Sequence, residues 1–130
     1  MAIQYVTYKD PRKEGTGLYY GRAIHPSTVD LEKLAEKIQR TCSLTKGDVL
    51  GVLKQLVVVM KTRLENSQKV ELDGLGTFRL RFDTKGTSEE EKFKAANIKR
   101  VTCAFLAKGK SQNGVRTRTF LDKVQWVKAN

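Results

Sequence analysis

In the run VELDGLGTFRLRF, residues 70–82, Arg79 and Arg81 alternate with Phe78, Leu80 and Phe82. A strand with that alternation sends its two guanidinium groups to the face opposite its aromatic and aliphatic side chains. Fixed positive charge on a flat face suits the neutralisation of phosphates, where every contact releases condensed counterions. Lys85, Lys94, Lys99 and Arg100 follow on and around the polar stretch DTKGTSEEEKFKAAN, and Lys108 and Lys110 come after the next apolar run. These eight residues are the candidate phosphate contacts, weighed against an ordinary solvated strand face. Arg116, Arg118, Lys123 and Lys128 lie further along the tail, and for them the two readings stand level.

The charge of the whole chain points the same way. It has 130 residues, 25 Lys and Arg against 14 Asp and Glu, and a formal net charge of +11. From 92 to 130 there are ten basic residues and one acid, Asp122, so that this segment carries +9 and residues 1–91 only +2. An excess of this kind attracts polyanions, whereas a surface that is merely soluble mixes its signs. Lysine and arginine on phosphates position a protein without reading bases. No helix has the basic, Asn- and Gln-rich face suited to reading bases in a major groove, so contact with whichever polyanion is bound is expected to be largely independent of sequence.

Other chemistries find little footing. His25 is the only histidine and stands beside Pro26, while Cys42 and Cys103 are isolated, so no zinc spacing exists. Both cysteines sit among apolar residues and read as buried free thiols. Gly109-Lys110-Ser111 resembles the end of a P-loop, but Ala104 occupies the required glycine position and no apolar helix follows. Gly74-Leu75-Gly76 lies between strands and opens no helix, which excludes a dinucleotide fingerprint. No enzyme activity, cofactor, metal or small-molecule substrate is expected. No run approaches a membrane span, and MAIQYVTYKD has no secretory pattern, so the expected location is cytoplasmic.

The elements that must position the basic residues follow from periodicity. IQYVTY (3–8) and LYYGRAI (18–24) are β-branched and aromatic, and the basic turn KDPRKEGTG between them suggests a β-hairpin or two edge strands. Leu31, Leu34, Ala35, Ile38 and Cys42 fall on one helical face, with Ser27 or Thr28 as the cap. Thr45 and Asp48 form a capping pattern for a second helix. That helix carries Val49, Val52, Leu53, Leu56, Val57, Met60 and Leu64, widened by Leu50, Val58 and Val59. It is apolar on more than one side, and a partner chain is the expected source of cover. Val70 and Leu72, an Asp73-Gly74 turn, and Phe78 to Phe82 read as two strands. Ile98–Leu106 reads as another, with Val101, Cys103 and Phe105 inward, and FLDKVQWVK fits a short helix or a strand equally.

Residues 28–82, with the helix–SLTKGDV–helix pairing and the V-x-L-x-G-L-G-T-F run, resemble the bacterial HU/IHF histone-like DNA-binding proteins. Residues 98–110 follow that pattern more loosely, and the extra N-terminal strands resemble the extended HU-related proteins of the Bacteroidetes type. The resemblance implies an α+β, HU/IHF-like fold: a two-helix dimerisation body, an antiparallel β-sheet saddle with a β-arm, and an extra N-terminal β-hairpin or strands. It divides the chain into an N-terminal β extension (1–27), an HU-like DNA-binding domain (28–110) and a basic C-terminal extension (111–130). It further implies an intertwined homodimer of the bacterial nucleoid, whose two arms embrace the minor groove of double-stranded DNA as architectural proteins do. Arg81 matches a saddle position, with Arg79 and Lys85 alongside, and Lys108 and Lys110 match basic positions after the last strand. The chain departs from the family at the arm tip. Its only prolines are Pro11 and Pro26, the tip region is TKGTSEEEKFK, and Phe93 is the one apolar wedge available. Sharp bending therefore does not follow from the resemblance. The alternatives are a protein-interaction module that keeps the dimer body without DNA binding, and RNA binding.

Overall fold

The computed structural model describes residues 2–12, 17–117, 119–121 and 123–129, with 112, 116 and 117 described by their backbone. The expected basic turn at 9–17 falls partly, and Arg118 and Asp122 wholly, outside the described residues. The chain is α+β. Strands β1 (Ile3–Lys9) and β2 (Tyr19–Ala23) come first, followed by helices α1 (Leu31–Gln39) and α2 (Lys46–Glu65). After them come β3 (Val70–Leu72), β4 (Gly76–Thr84), β5 (Ile98–Ala107), β6 (Lys110–Gln112), β7 (Val115–Thr117) and β8 (Trp126–Lys128).

Helix α1 is capped by Asp30, whose carboxylate accepts from the Lys33 amide at 2.9 Å. Ser27 and Thr28, the expected caps, lie too far upstream to reach the free amides of the first turn. The helix ends at Gln39, and the Thr41 hydroxyl turns back to the Ile38 carbonyl at 3.0 Å. Cys42 consequently falls past the helix and is exposed, as is Cys103, which corrects the expectation of buried thiols. Helix α2 has the cap its sequence announces. Thr45 Oγ1 accepts from the Asp48 amide at 3.2 Å and donates to the Asp48 carboxylate at 2.8 Å. At its other end Ser67 takes a left-handed conformation (φ 63°), the Ser67 amide donates to Leu64 and the Gln68 amide to Arg63. That is a Schellman ending, with serine where glycine is commoner.

Helices α1 and α2 pack together around a small core, and the buried hydrophobic residues among those described are Ala35, Val49 and Leu64. Strands β3, β4 and β5 form an antiparallel central sheet in that order. Its register sets Val70 against Phe78, Phe78 against Phe105, Leu80 against Cys103 and Phe82 against Val101. These side chains share one face, turned toward α2, where the Phe78 and Phe105 rings stand 4.8 Å apart. Gly74 (φ 82°) makes the β3–β4 turn. Gly76 allows a closer approach: a Cβ there would strike the Leu106 carbonyl oxygen and lie 2.8 Å from the Phe105 ring. Two smaller sheets complete the chain. β1 lies between β2, antiparallel, and β8, parallel, and β6 pairs with β7 across an Asn113-Gly114 turn.

Candidate nucleic-acid interface

The opposite face of the central sheet carries the basic residues. Arg79 pairs in register with Ala104 and Arg81 with Thr102, so small neighbours leave both guanidinium groups exposed. Two steps of extended strand separate them by about 6.6 Å. The Thr102 hydroxyl lies 3.5 Å from the Arg81 carbonyl. A groove on the sheet is lined by Lys69 and Glu71 at β3, by Thr77, Arg79 and Arg81 on the middle strand, and by Ala104 and Leu106 on β5, with Cys103 and Phe105 also contributing. Lys69 is the residue that sequence reasoning overlooked. Its signal was present, because it has the parity of Glu71 one strand away from Arg79.

Farther along β4 the register shifts. Phe82 opposes Val101 and Thr84 opposes Ile98, which leaves Lys99 and Arg100 together opposite Asp83. Two residues facing one is a β-bulge. Arg100 uses it to reach Asp83, donating from Nε at 3.1 Å and from Nη2 at 2.8 Å to a single carboxylate oxygen. Lys108, at the other end of β5, has its ammonium 3.7 Å from a Glu71 carboxylate oxygen. Two of the eight candidate residues are thus held by carboxylates that stand on or beside the same face.

The remaining candidates are spread out. Lys85 and Lys94 belong to the thirteen-residue connection 85–97 between β4 and β5, which is closed at its neck by the Lys85 amide donating to the Asn97 carbonyl at 2.8 Å. This connection holds two 3-10 turns, Glu90–Lys92 and Ala95–Asn97. Its three lysines match its three glutamates in number, and Lys92 pairs with Glu89 at 3.6 Å. Phe93 is exposed in it. Lys110 stands apart on β6. The Lys108 carbonyl accepts from the Phe120 amide and the Thr119 hydroxyl, both at 3.3 Å, and this fastens the neck of the β6–β7 hairpin. Asn113 (φ 53°) and Gly114 (φ 78°) turn that hairpin, and Asn-Gly between short strands is a strong hairpin signal that the tail reading passed over.

The apolar face is open in a single chain. A groove between α2 and the central sheet is lined by Val57, Met60, Leu64, Phe78, Leu80 and Val101, while Val57 is 60% and Phe82 53% exposed. Val52, Val58 and Val59 are likewise more than half exposed along α2. Among the described residues no three His, Cys, Asp or Glu side chains gather where a metal ion could be held, and no helix is long and apolar enough to cross a membrane.

Comparison with known proteins adds the context of relatives. Residues 1–122 match a family model, HU-HIG, described as an HU domain fused to wHTH, Ig, or Glycine-rich motif. A crystal structure of a candidate bacterial DNA binding protein from Bacteroides vulgatus superposes over 99% of this chain at a TM-score of 0.61 and 10% identity. This chain spans about half of that protein, 50% of its length. An Anabaena HU–DNA cocrystal structure covers 60% of this chain and 85% of its own, with 18% identity and a TM-score of 0.44. No curated protein sequence matches.

Proposed function

The chain belongs to the HU-HIG family, and from that premise we propose that it is an architectural protein that grips double-stranded DNA as a homodimer, largely without regard to sequence. The observation that carries this reading is the two-sidedness of β4. Arg79 and Arg81 stand exposed on one face, beside Lys69, and Phe78, Leu80 and Phe82 on the other. In this reading the basic face is the saddle that meets the phosphates, with Lys99 and Arg100 at the base of the arm and Lys85 and Lys94 on it. Lys108 and Lys110 extend the contact past the end of β5. The family membership and the likeness to the Bacteroides DNA binding protein support DNA as the ligand.

The homodimer reading rests on the exposed face of α2 and the inner side of the central sheet. Monomeric proteins rarely leave large contiguous apolar patches in water, and the groove along Val57, Met60, Leu80 and Val101 suits a second copy. The lysines and glutamates of the arm tip balance, so the grip is assigned to the sheet. In a bacterial cell such a protein acts on the nucleoid in the cytoplasm.

The test is fluorescence anisotropy of the purified protein on a ~30 base-pair duplex across a salt series. Six phosphate contacts give a log–log slope near −5. No binding at low salt would overturn the reading and favour the protein-interaction module, for which the balanced tip loop speaks. Arg81→Glu with Lys99→Glu separates those two, since it removes duplex binding and spares a protein partner. Competition by structured RNA at equal strength would move the ligand from DNA to RNA.

A further inference from the structure

The sheet made by β1, β2 and β8 has a second face whose composition calls for a different ligand. Its register sets Lys9 beside Tyr19, Ile3 beside Trp126, and Tyr5 beside Lys128. Side chains of alternate residues share a face, so these six lie together. The Tyr5 ring reaches within 3.8 Å of where a Cβ would stand on Gly21 and so lies across the gap that this glycine leaves. Tyr19 and Trp126 are each 69% exposed, and among the described residues neither ring stacks on another. The reverse face is unlike it. There Tyr8 and Tyr20 stand 6.2 Å apart and the Arg22 guanidinium lies 5.7 Å from the Tyr8 ring centroid, so those rings already have neighbours. The charged side chains of the three strands are Lys9, Arg22 and Lys128, with no acid among them.

From this arrangement we infer that the Tyr5–Tyr19–Trp126 face binds single-stranded nucleic acid. Three rings spread along about 20 Å of strand offer stacking platforms, and a lysine accompanies Tyr5 and another Tyr19. Every base has a flat π-face, so such platforms accept any sequence, while a basic surface follows the backbone. A duplex keeps its base faces covered by stacking on one another and cannot use the rings. A docked protein segment would find one aliphatic side chain, Ile3, among the six residues and two lysines without an acidic partner in the sheet. The inference is independent of the duplex grip assigned to the central sheet.

Trp126 is the only tryptophan of the chain, so intrinsic fluorescence reports on this face directly. The full chain is titrated with a ~10-nucleotide oligo(dT) and, separately, with the ~30 base-pair duplex. Saturable quenching by oligo(dT), and little by duplex at the same phosphate concentration, is the expected result. Lys9→Glu with Lys128→Glu, two exposed changes that leave the strand pairing intact, should weaken the oligo(dT) titration by about tenfold or more and leave duplex anisotropy unchanged. Tyr19→Ala should weaken it by about tenfold. Arg79→Gln with Arg81→Gln should keep the quenching while duplex binding fails, which separates this site from the central sheet. The inference is overturned if oligo(dT) does not quench at low salt, or if quenching survives the lysine reversal. It is equally overturned if quenching disappears with the Arg79 and Arg81 changes. Emission that shifts to the blue with protein concentration alone would also overturn it, because a second copy would then cover the face.

Discussion

The two faces of the central sheet are made from alternate residues of the same strands, yet they differ in what they require of a partner. Phe78, Leu80, Phe82, Val101 and Cys103 form a surface that is stable only when something excludes water from it. Arg79, Arg81 and Lys69 form one that is stable in water and gains a partner only through charge. The apolar face is therefore a condition of folding and assembly, and the basic face a condition of binding. Because one strand writes both, a one-residue slip of β4 would exchange them. Gly76 prevents that slip by allowing β5 to approach where any side chain would collide.

The largest expected effect falls on the basic face. Replacing both Arg79 and Arg81 by Gln removes two phosphate contacts per copy, four in a dimer. The salt slope should become shallower by about 3.6 and the affinity near 0.1 M salt should fall by about three orders of magnitude. Secondary structure and melting should stay unchanged. A change of slope of about 1.8 instead would mean that one copy engages the duplex.

The apolar face responds in stability. Val57→Lys places an ammonium in the proposed contact between copies, where an uncompensated buried charge costs about 3–5 kcal/mol. Sedimentation should move from dimer to monomer and the melting midpoint should fall by about 10 °C or more. If the sedimentation profile and the midpoint stay as in the wild type, the exposed stripe of α2 is not an interface. Gly76→Ala acts on both faces at once. The added methyl meets the Leu106 carbonyl and the Phe105 ring, an overpacking cost of about 1–3 kcal/mol, so assembly and DNA affinity should decline together. A decline in one alone would show that the close approach at Gly76 does not hold both.

How far this division could be read from the residues depends on the range of the interactions that set it. The alternation in β4, the inward set on β5, the Thr45 cap and the stripe of α2 are local patterns, and they were legible. So was the membership of Arg79 and Arg81 in one face. The start of α1 was misplaced because Asp30 takes the cap position ahead of Ser27 and Thr28, and its end because the helix stops at Gln39 and leaves Cys42 outside. Cys103 is exposed since the apolar surface around it has no cover within one chain. The pairing of β8 with β1 joins residues more than a hundred positions apart, which no periodicity reveals. Lys69 and the Asn113-Gly114 turn were readable and overlooked. The partnership of Arg100 with Asp83 was not, because it depends on the bulge.

That partnership gives the smallest and most discriminating test. Asp83 and Arg100 are both well exposed, with side chains 61% and 76% accessible, so water screens the pair and it contributes at most about 1 kcal/mol. For DNA it means that one guanidinium on this face is already occupied. A phosphate that takes Arg100 must displace a carboxylate and then lie close to it. Asp83→Asn removes both obstacles. Affinity should rise by up to about fivefold, and the salt slope should steepen by about 0.9 per copy as Arg100 becomes a phosphate contact. A rise in affinity at an unchanged slope would mean that relief of repulsion is the whole effect and that Arg100 does not reach the backbone. No change in either would place the base of the arm outside the DNA footprint. The basic face would then shrink to Lys69, Arg79 and Arg81, directly behind the apolar residues that hold the sheet against α2.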